Sequence, residues 1–216
     1  MKKLRVKRYT QKLKSSDCGP TTVRMILHHF GIERSLTELA SKLRYGSFGT
    51  YISDNGLLFL NEGLSATLVT ANTILFDFDD RKNLSSKKKV LIYLKKLLQG
   101  KMKTMQPFKP GIRIMVEFLE KGGNVAVEIP NKQHIIRAID RGDLVMALIV
   151  PNAFSTIGSF HHFVTVYGYD ASSVYIADPW PKAKAGKVSW EDFLYGVHAS
   201  TVGDLDTGSL LIVGKR

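Results

Sequence analysis

The apolar positions in the first part of the chain recur at helical spacing and predict three short helices. The first should cover about residues 20–30, and Gly31 is the expected stop because glycine readily takes the left-handed conformation that follows a helix. Ser35 and Glu38 have the spacing of a capping box, which predicts the start of a second helix. A third helical run is expected around residues 57–60, and a short strand should follow it.

The middle of the chain contains a lysine-rich segment, residues 76–109, that we interpret as a helical insertion. Within it, residues 87–103 place apolar side chains on one face and lysines on the other, which predicts an amphipathic helix. Residues 77–83 are polar and are expected to form a loop, whereas residues 112–119 should resume as helix. A basic amphipathic helix can lie on a membrane or bind a partner, but packing on the protein's own core is commoner and is the interpretation that we prefer.

From residue 124 onwards the pattern changes to short apolar and alternating runs, which are typical of strands. A polar turn at residues 170–173 predicts that the strands on either side of it form a hairpin. The expected strands cover residues 125–129, 144–150, 162–169, 174–178 and 210–213, with short helices at 134–141 and from residue 190. Helices first and strands later indicate an α+β fold, and 216 residues without an internal repeat or linker are expected to form a single domain.

Composition narrows the class of protein and its expected compartment. An apolar fraction of 44% is typical of a globular chain, no run is long enough to span a bilayer, and no signal peptide follows the basic start. The single cysteine excludes an intrachain disulfide and a cysteine-rich zinc site. A reducing, cytoplasmic setting is therefore expected.

The net charge of +12 is concentrated at the N-terminus and in the segment from Arg81 to Lys103. Such an excess raises the question of a nucleic acid or an acidic partner at this segment. Because no zinc-finger spacing and no aromatic RNA-binding signature accompanies it, a solvated lysine-rich face is the favoured interpretation.

The only cysteine, Cys18, stands directly before the first predicted helix. Pro20 suits the first turn of that helix, where its missing N–H costs nothing. A helix N-terminus favours an anion, so the position suits a reactive thiolate. A lone cysteine is more often a small buried apolar residue, and further residues are needed to favour the reactive interpretation.

The predicted hairpin supplies such residues. A cysteine nucleophile needs a base to take its proton and a further group to orient that base. His161 and His162 lie at the start of the hairpin and Asp178 lies at its end, so pairing of the two strands would bring a histidine to a carboxylate. Alternation places the two histidines on opposite faces, so only one of them can do this.

Three motifs in this order resemble those of the bacteriocin-processing (double-glycine leader) peptidases and their stand-alone relatives, a branch of the papain-like cysteine peptidases. The motifs are Asp17-Cys18-Gly19-Pro20, His162-Phe163-Val164 and Ala177-Asp178-Pro179. The resemblance covers residues from about 9 to 75 and from 110 to 213. It implies a papain-like α+β fold, with an N-terminal helical lobe and a C-terminal lobe built on an antiparallel sheet.

The resemblance also implies roles for individual residues. Cys18 would be the nucleophile, His162 the general base and acid, and Asp178 the residue that orients the histidine. Gln11 is the candidate for the glutamine that helps to form the oxyanion hole, although it lies one residue further from the cysteine than is usual in papain-like enzymes. Neither a cofactor nor a metal is implied.

We therefore predict a cysteine peptidase whose substrate is a peptide or protein, with a leader peptide or an isopeptide bond among the candidates. An acyltransferase or a glutamine deamidase could use the same triad, since both reactions also pass through a thioester. A basic binding module with a vestigial site is the alternative from a different class of protein.

Overall fold

Helices predominate over strands in the first half of the chain, and most strands of the large sheet lie in the second half, which confirms the α+β fold predicted from the sequence. The computed structural model describes residues 1–13, 15–46, 49–101, 103–153, 160–183, 186–199, 205–206 and 208–216. Within these ranges the helices are α1 (Cys18–His29), α2 (Leu36–Lys42), α3 (Ile52–Asn61), α4 (Phe78–Asn83), α5 (Lys87–Gln99), α6 (Lys109–Glu120), α7 (Lys132–Arg141) and α8 (Trp190–His198). The strands are β1 (Lys2–Lys3), β2 (Tyr45–Gly46), β3 (Gly49–Thr50), β4 (Leu64–Thr70), β5 (Asn124–Val127), β6 (Leu144–Ile149), β7 (His162–Tyr169), β8 (Ser173–Ala177), β9 (Lys187–Ser189) and β10 (Ser209–Lys215).

One large sheet runs through the protein in the order β5-β4-β10-β6-β7-β8-β9. Its strand pairs are antiparallel except for β4 and β5, which are parallel. The short strand β1 pairs with the end of β7, whereas β2 and β3 form a separate small hairpin. Every residue of β6 is buried, as its continuous apolar run predicts for a central strand.

Helix α1 packs directly on β7, and this contact joins the helical part of the chain to the sheet. Val23, Ile26 and Leu27 are completely buried on the inner face of the helix. Two polar contacts fix the register of the pair: the Thr22 hydroxyl donates to the Phe163 carbonyl at 3.2 Å, and the Thr165 hydroxyl lies 3.8 Å from the Met25 sulfur.

Several predicted element boundaries are confirmed and two predictions are wrong. Ser35 caps α2 by accepting a hydrogen bond from the Glu38 N–H at 3.1 Å, as the capping-box spacing predicted. The predicted loop at residues 77–83 is instead the helix α4, which Asp77 caps; it buries no residue, so it has no apolar periodicity to reveal it. The predicted helix over residues 87–103 ends at Gln99, because Gly100 leaves the helical conformation.

The amphipathic helix α5 packs on the protein's own core, as preferred from the sequence. Val90 and Leu94 are completely buried, and the helix lies against α6 and β5. Its lysines face outwards, and Lys95 pairs with Glu120 of α6 at 2.6 Å. None of the helices within the described ranges has the length and apolar character needed to cross a bilayer.

Candidate active site

Cys18 is the first residue of α1, so its thiol lies at the positive end of the helix dipole. The N-cap residue, Asp17, makes no side-chain hydrogen bond to the first turn. The first N–H groups of a helix have no partner within the helix. The start of α1 therefore offers backbone donors where a negative charge on sulfur or on a carbonyl oxygen would lie.

Gly19 allows the start of α1 to approach the β2–β3 hairpin and α3 closely. A Cβ atom at this position would overlap the Thr50 hydroxyl and would lie 3.4 Å from Asn55 Oδ1. Asn55 is completely buried and donates to the Thr50 hydroxyl at 3.2 Å, which fixes these groups beneath the helix. The glycine after the cysteine is thus required by packing around the thiol.

His162 and Asp178 meet at the open end of the β7–β8 hairpin. The His162 Nε2 atom lies 2.7 Å from Asp178 Oδ1, and the two residues are 1% and 5% exposed. The same carboxylate oxygen accepts the Trp180 N–H at 2.7 Å, which holds it in place. Because Asp178 occupies Nε2, the other ring nitrogen, Nδ1, remains for a second partner, and the Cys18 side chain lies near enough to raise the pKa of the ring.

The two partners of His162 determine its charge. Burial by itself lowers the pKa of a histidine, but the hydrogen bonds from His162 to Asp178 and to Cys18, with the negative charges of both groups, overcome this and raise its pKa to about 9. At neutral pH the ring is therefore held as an imidazolium between a carboxylate and a sulfur.

Two aromatic rings shield this arrangement. Phe160 and Trp180 both meet the imidazole edge-on, with ring centroids 5.9 and 6.3 Å from that of His162, and they lie 5.5 Å from each other. Aromatic neighbours of this kind keep water away from the His162–Asp178 hydrogen bond, which strengthens it.

A cleft opens beside the thiol and has a volume of about 190 Å³. Its lining residues come from the β2–β3 hairpin, the start of α6, the sheet and the segment before β10: Cys18, Gly46, Gly49, Thr50, Tyr51, Pro107, Phe108, Gly111, Leu148, His161, Phe163, Leu205 and Asp206. His161 thus lines the cleft, while its neighbour His162 binds Asp178, as strand alternation predicted for the two histidines.

Gln11 is 4% exposed and lies close to the aspartate loop, because its backbone N–H donates to the Pro179 carbonyl at 2.9 Å. Its side-chain Nε2 donates to the Ser15 carbonyl at 2.9 Å, and no hydrogen-bond partner of Oε1 is found in the described part of the chain. An amide nitrogen carries two hydrogens, so one remains beyond the bond to Ser15. Gln11 is not among the residues that line the cleft, and its contribution to an oxyanion hole stays a prediction.

The chain is similar in sequence and in fold to known peptidases. The model of the Peptidase_C39 like family matches residues 3–101. A Bacillus anthracis protein described as a C39-like peptidase shares the fold, with a TM-score of 0.59 and 14% identity, over 100% of this chain and 98% of that chain. The chain resembles the C39-like peptidases. A double glycine motif protease from an AMS/PCAT transporter, solved with the leader peptide, has a TM-score of 0.51 and 15% identity over 100% of this chain and 95% of its own.

The predicted family resemblance is thereby confirmed. That residues 76–109 form an insertion stays a prediction. The comparison with curated proteins finds no match. Sequence reasoning missed the aromatic neighbours Phe160 and Trp180. Trp180 follows Asp178 by two positions, a spacing that could have suggested a ring above the carboxylate, whereas nothing in the sequence marks Phe160.

Proposed function

We propose that this protein is a cysteine peptidase that cleaves peptide bonds through Cys18, His162 and Asp178. The observation that carries the proposal is the buried imidazole of His162, which hydrogen-bonds to the carboxylate of Asp178 and has its pKa raised by both Asp178 and the side chain of Cys18. A nucleophile, a base and a group that orients the base are the minimum set for covalent catalysis of acyl transfer.

In the first half of the reaction, His162 Nδ1 holds the proton of the thiol while the Cys18 sulfur attacks the carbonyl carbon of the substrate. His162 then gives that proton to the amine as the C–N bond breaks, which leaves a thioester on Cys18. In the second half, water attacks the thioester and gives a proton to His162. The C–S bond breaks, the carboxylic acid leaves, and His162 keeps the proton beside the Cys18 sulfur, as in the starting state.

The negative oxygen of each tetrahedral intermediate needs hydrogen-bond donors. We assign this role to the backbone N–H of Cys18 at the start of α1 and to the remaining N–H of the Gln11 amide. The absence of a side-chain cap from Asp17 and the burial of Gln11 support the assignment.

The cleft supports an extended peptide with small residues next to the scissile bond as the substrate. Its volume of about 190 Å³ is below the roughly 300–1,000 Å³ of sites for drug-sized ligands. Glycines at positions 46, 49 and 111 contribute to its lining, and a Cβ atom on Gly111 would lie 2.7 Å from Leu205. A leader peptide with small residues before the cleavage site fits these dimensions, and the double glycine motif protease that shares the fold was solved in complex with a leader peptide.

The test is incubation with a library of peptides that carry small or bulky residues at the scissile bond, followed by mass spectrometry of the products. Hydrolysis divides a peptide and adds one water, whereas deamidation leaves it whole and acyl transfer adds the acceptor. Cys18→Ala should abolish turnover and leave the fold intact, since only the sulfur is removed. Cleavage retained by Cys18→Ala would refute the proposal.

A further inference from the structure

The N-terminal arm, which we define as residues 1–13, runs beside the loop that carries Asp178. Its backbone joins the sheet twice: β1 pairs with the end of β7, and the Leu4 N–H donates to the Tyr167 carbonyl at 2.8 Å. Beyond this point the arm leaves the sheet and passes the loop formed by residues 178–180 before it reaches Cys18. The arm thus contacts the hairpin that carries His162 and Asp178.

Three consecutive carbonyl groups of the aspartate loop accept hydrogen bonds from this arm. Arg8 Nε donates to the Asp178 carbonyl at 2.7 Å, and Arg8 Nη2 donates to the Trp180 carbonyl at 2.6 Å. Between them, the Gln11 N–H donates to the Pro179 carbonyl at 2.9 Å. One guanidinium group therefore spans the loop on both sides of Pro179.

The arm is held on its other side by α1. The Arg24 guanidinium lies over the Tyr9 ring at 4.0 Å, and the His28 ring meets Tyr9 edge-on at 5.7 Å. Residues 8 and 9 thus face two ways, since Arg8 binds the loop of Asp178 while Tyr9 packs on the helix that begins with Cys18. Residues 8 and 9 therefore connect the loop that carries Asp178 to the helix that begins with Cys18.

We propose that Arg8 is a positioning residue for Asp178. Its two hydrogen bonds to the backbone of the loop hold the Asp178 carboxylate where it meets His162. The inference rests on the proposed function and names a residue that the three motifs do not contain. Arginine suits the task because its planar guanidinium donates in two fixed directions, whereas lysine offers a single point of charge. The Trp180 N–H holds the carboxylate from within the loop, and Arg8 holds the backbone on either side of it.

Because the chain has one cysteine, alkylation by iodoacetamide reports Cys18 alone and requires no knowledge of the substrate. The rate of alkylation of the full chain is measured against pH by intact mass. In the wild type, the imidazolium of His162 should keep the thiol reactive well below the pH at which an ordinary thiol reacts. In Arg8→Ala, the loosened carboxylate should hold the imidazolium less well, so we expect the midpoint to move to higher pH and the rate at neutral pH to fall about tenfold.

Arg5→Ala is the matched control, because Arg5 lies in the same arm and no hydrogen bond or ion pair of its guanidinium is found in the described ranges. Its alkylation profile should coincide with that of the wild type. Arg8→Lys keeps the charge but cannot reproduce the two-directional bond, so its midpoint should lie between those of the wild type and Arg8→Ala. Millimolar guanidinium chloride should restore part of the lost rate in Arg8→Ala and leave the wild type unchanged.

Two results would overturn the inference. An Arg8→Ala profile that coincides with the wild type would show that the loop is held without Arg8. An alkylation rate in Arg8→Lys equal to that of the wild type would show that the thiol requires the positive charge at position 8 rather than the position of the loop. If Arg8→Ala does not fold, Arg8→Lys provides the test. Failure of the proposed function is distinguishable from both, because the wild type itself would then react only in the range of an ordinary thiol.

Discussion

Substitution of Asp178 gives the sharpest test of how the site works, because one carboxylate oxygen accepts two hydrogen bonds. Asp178→Asn keeps an oxygen that can accept from His162 Nε2 and from the Trp180 N–H, but it removes the negative charge. Asp178→Ala removes this shared acceptor and leaves two donors unpaired in a buried position. The pair of variants therefore separates the charge of the residue from its hydrogen bonds.

The expected losses follow from these two bonds. A hydrogen bond to a charged group contributes about 1.5–3 kcal/mol and a neutral one about 0.5–1.5 kcal/mol, so Asp178→Asn should cost on the order of 1–2 kcal/mol, or roughly tenfold in kcat/KM. An unpaired buried donor costs about 1–3 kcal/mol, so Asp178→Ala should lose roughly a hundredfold or more.

The measurement is kcat/KM for a peptide that the wild type cleaves, with circular dichroism to show that each variant is folded. Cys18→Ala serves as the baseline, and both aspartate variants should stay above it, since the nucleophile remains. Equal losses in Asp178→Asn and Asp178→Ala would refute the reasoning from hydrogen bonds. Full activity in Asp178→Asn would show that the carboxylate does not orient His162.

Two further predictions concern the stability of the fold. Because the pKa of His162 is raised to about 9 in the folded protein, its contribution to the free energy of unfolding is complete below about pH 6.5 and is lost as the pH rises through 9. Urea unfolding at pH 6 and pH 9 should therefore show a larger fall in stability for the wild type than for His162→Gln, and an equal fall in both would contradict the raised pKa. In the second, Leu94→Ala should lower the free energy of unfolding by about 2–5 kcal/mol because Leu94 is completely buried. The exposed Ile92 on the same helix provides the control, since Ile92→Ala should change the free energy of unfolding by about 0.5 kcal/mol or less. Similar losses in the two variants would mean that α5 does not pack as described.

The parts of the molecule that could be predicted from sequence are those fixed by local rules. Ser35 and Glu38 lie three residues apart, and the hairpin that joins His162 to Asp178 closes over 16 residues. In both cases the spacing of residue types determines which groups meet. The pairing of the histidine and aspartate motifs was predictable for this reason.

The parts that escaped prediction depend on contacts between distant segments or on a missing pattern. Arg8 and Asp178 are 170 residues apart, and nothing in the sequence around either residue predicts that they form a hydrogen bond. Helix α4 buries none of its side chains, so its sequence has no apolar period to distinguish it from a loop. Gly19 belongs to the cysteine motif and could be singled out from the sequence. The reason that a glycine is needed there, the close approach of Thr50, is visible only in the folded chain.

The separation between Cys18 and His162 has a consequence for folding. The contact of His162 with Asp178 closes a short loop, whereas the contact of Cys18 with His162 joins residues that are 144 positions apart. Closing the longer loop costs more chain entropy, so we expect the hairpin to form before α1 docks on β7. A partly folded chain would then hold its imidazole and carboxylate together while its sulfur remained an ordinary thiol. Reactivity of the sulfur would report that the two halves of the chain have joined. Under the proposed function, newly made protein could not cut its neighbours before that moment.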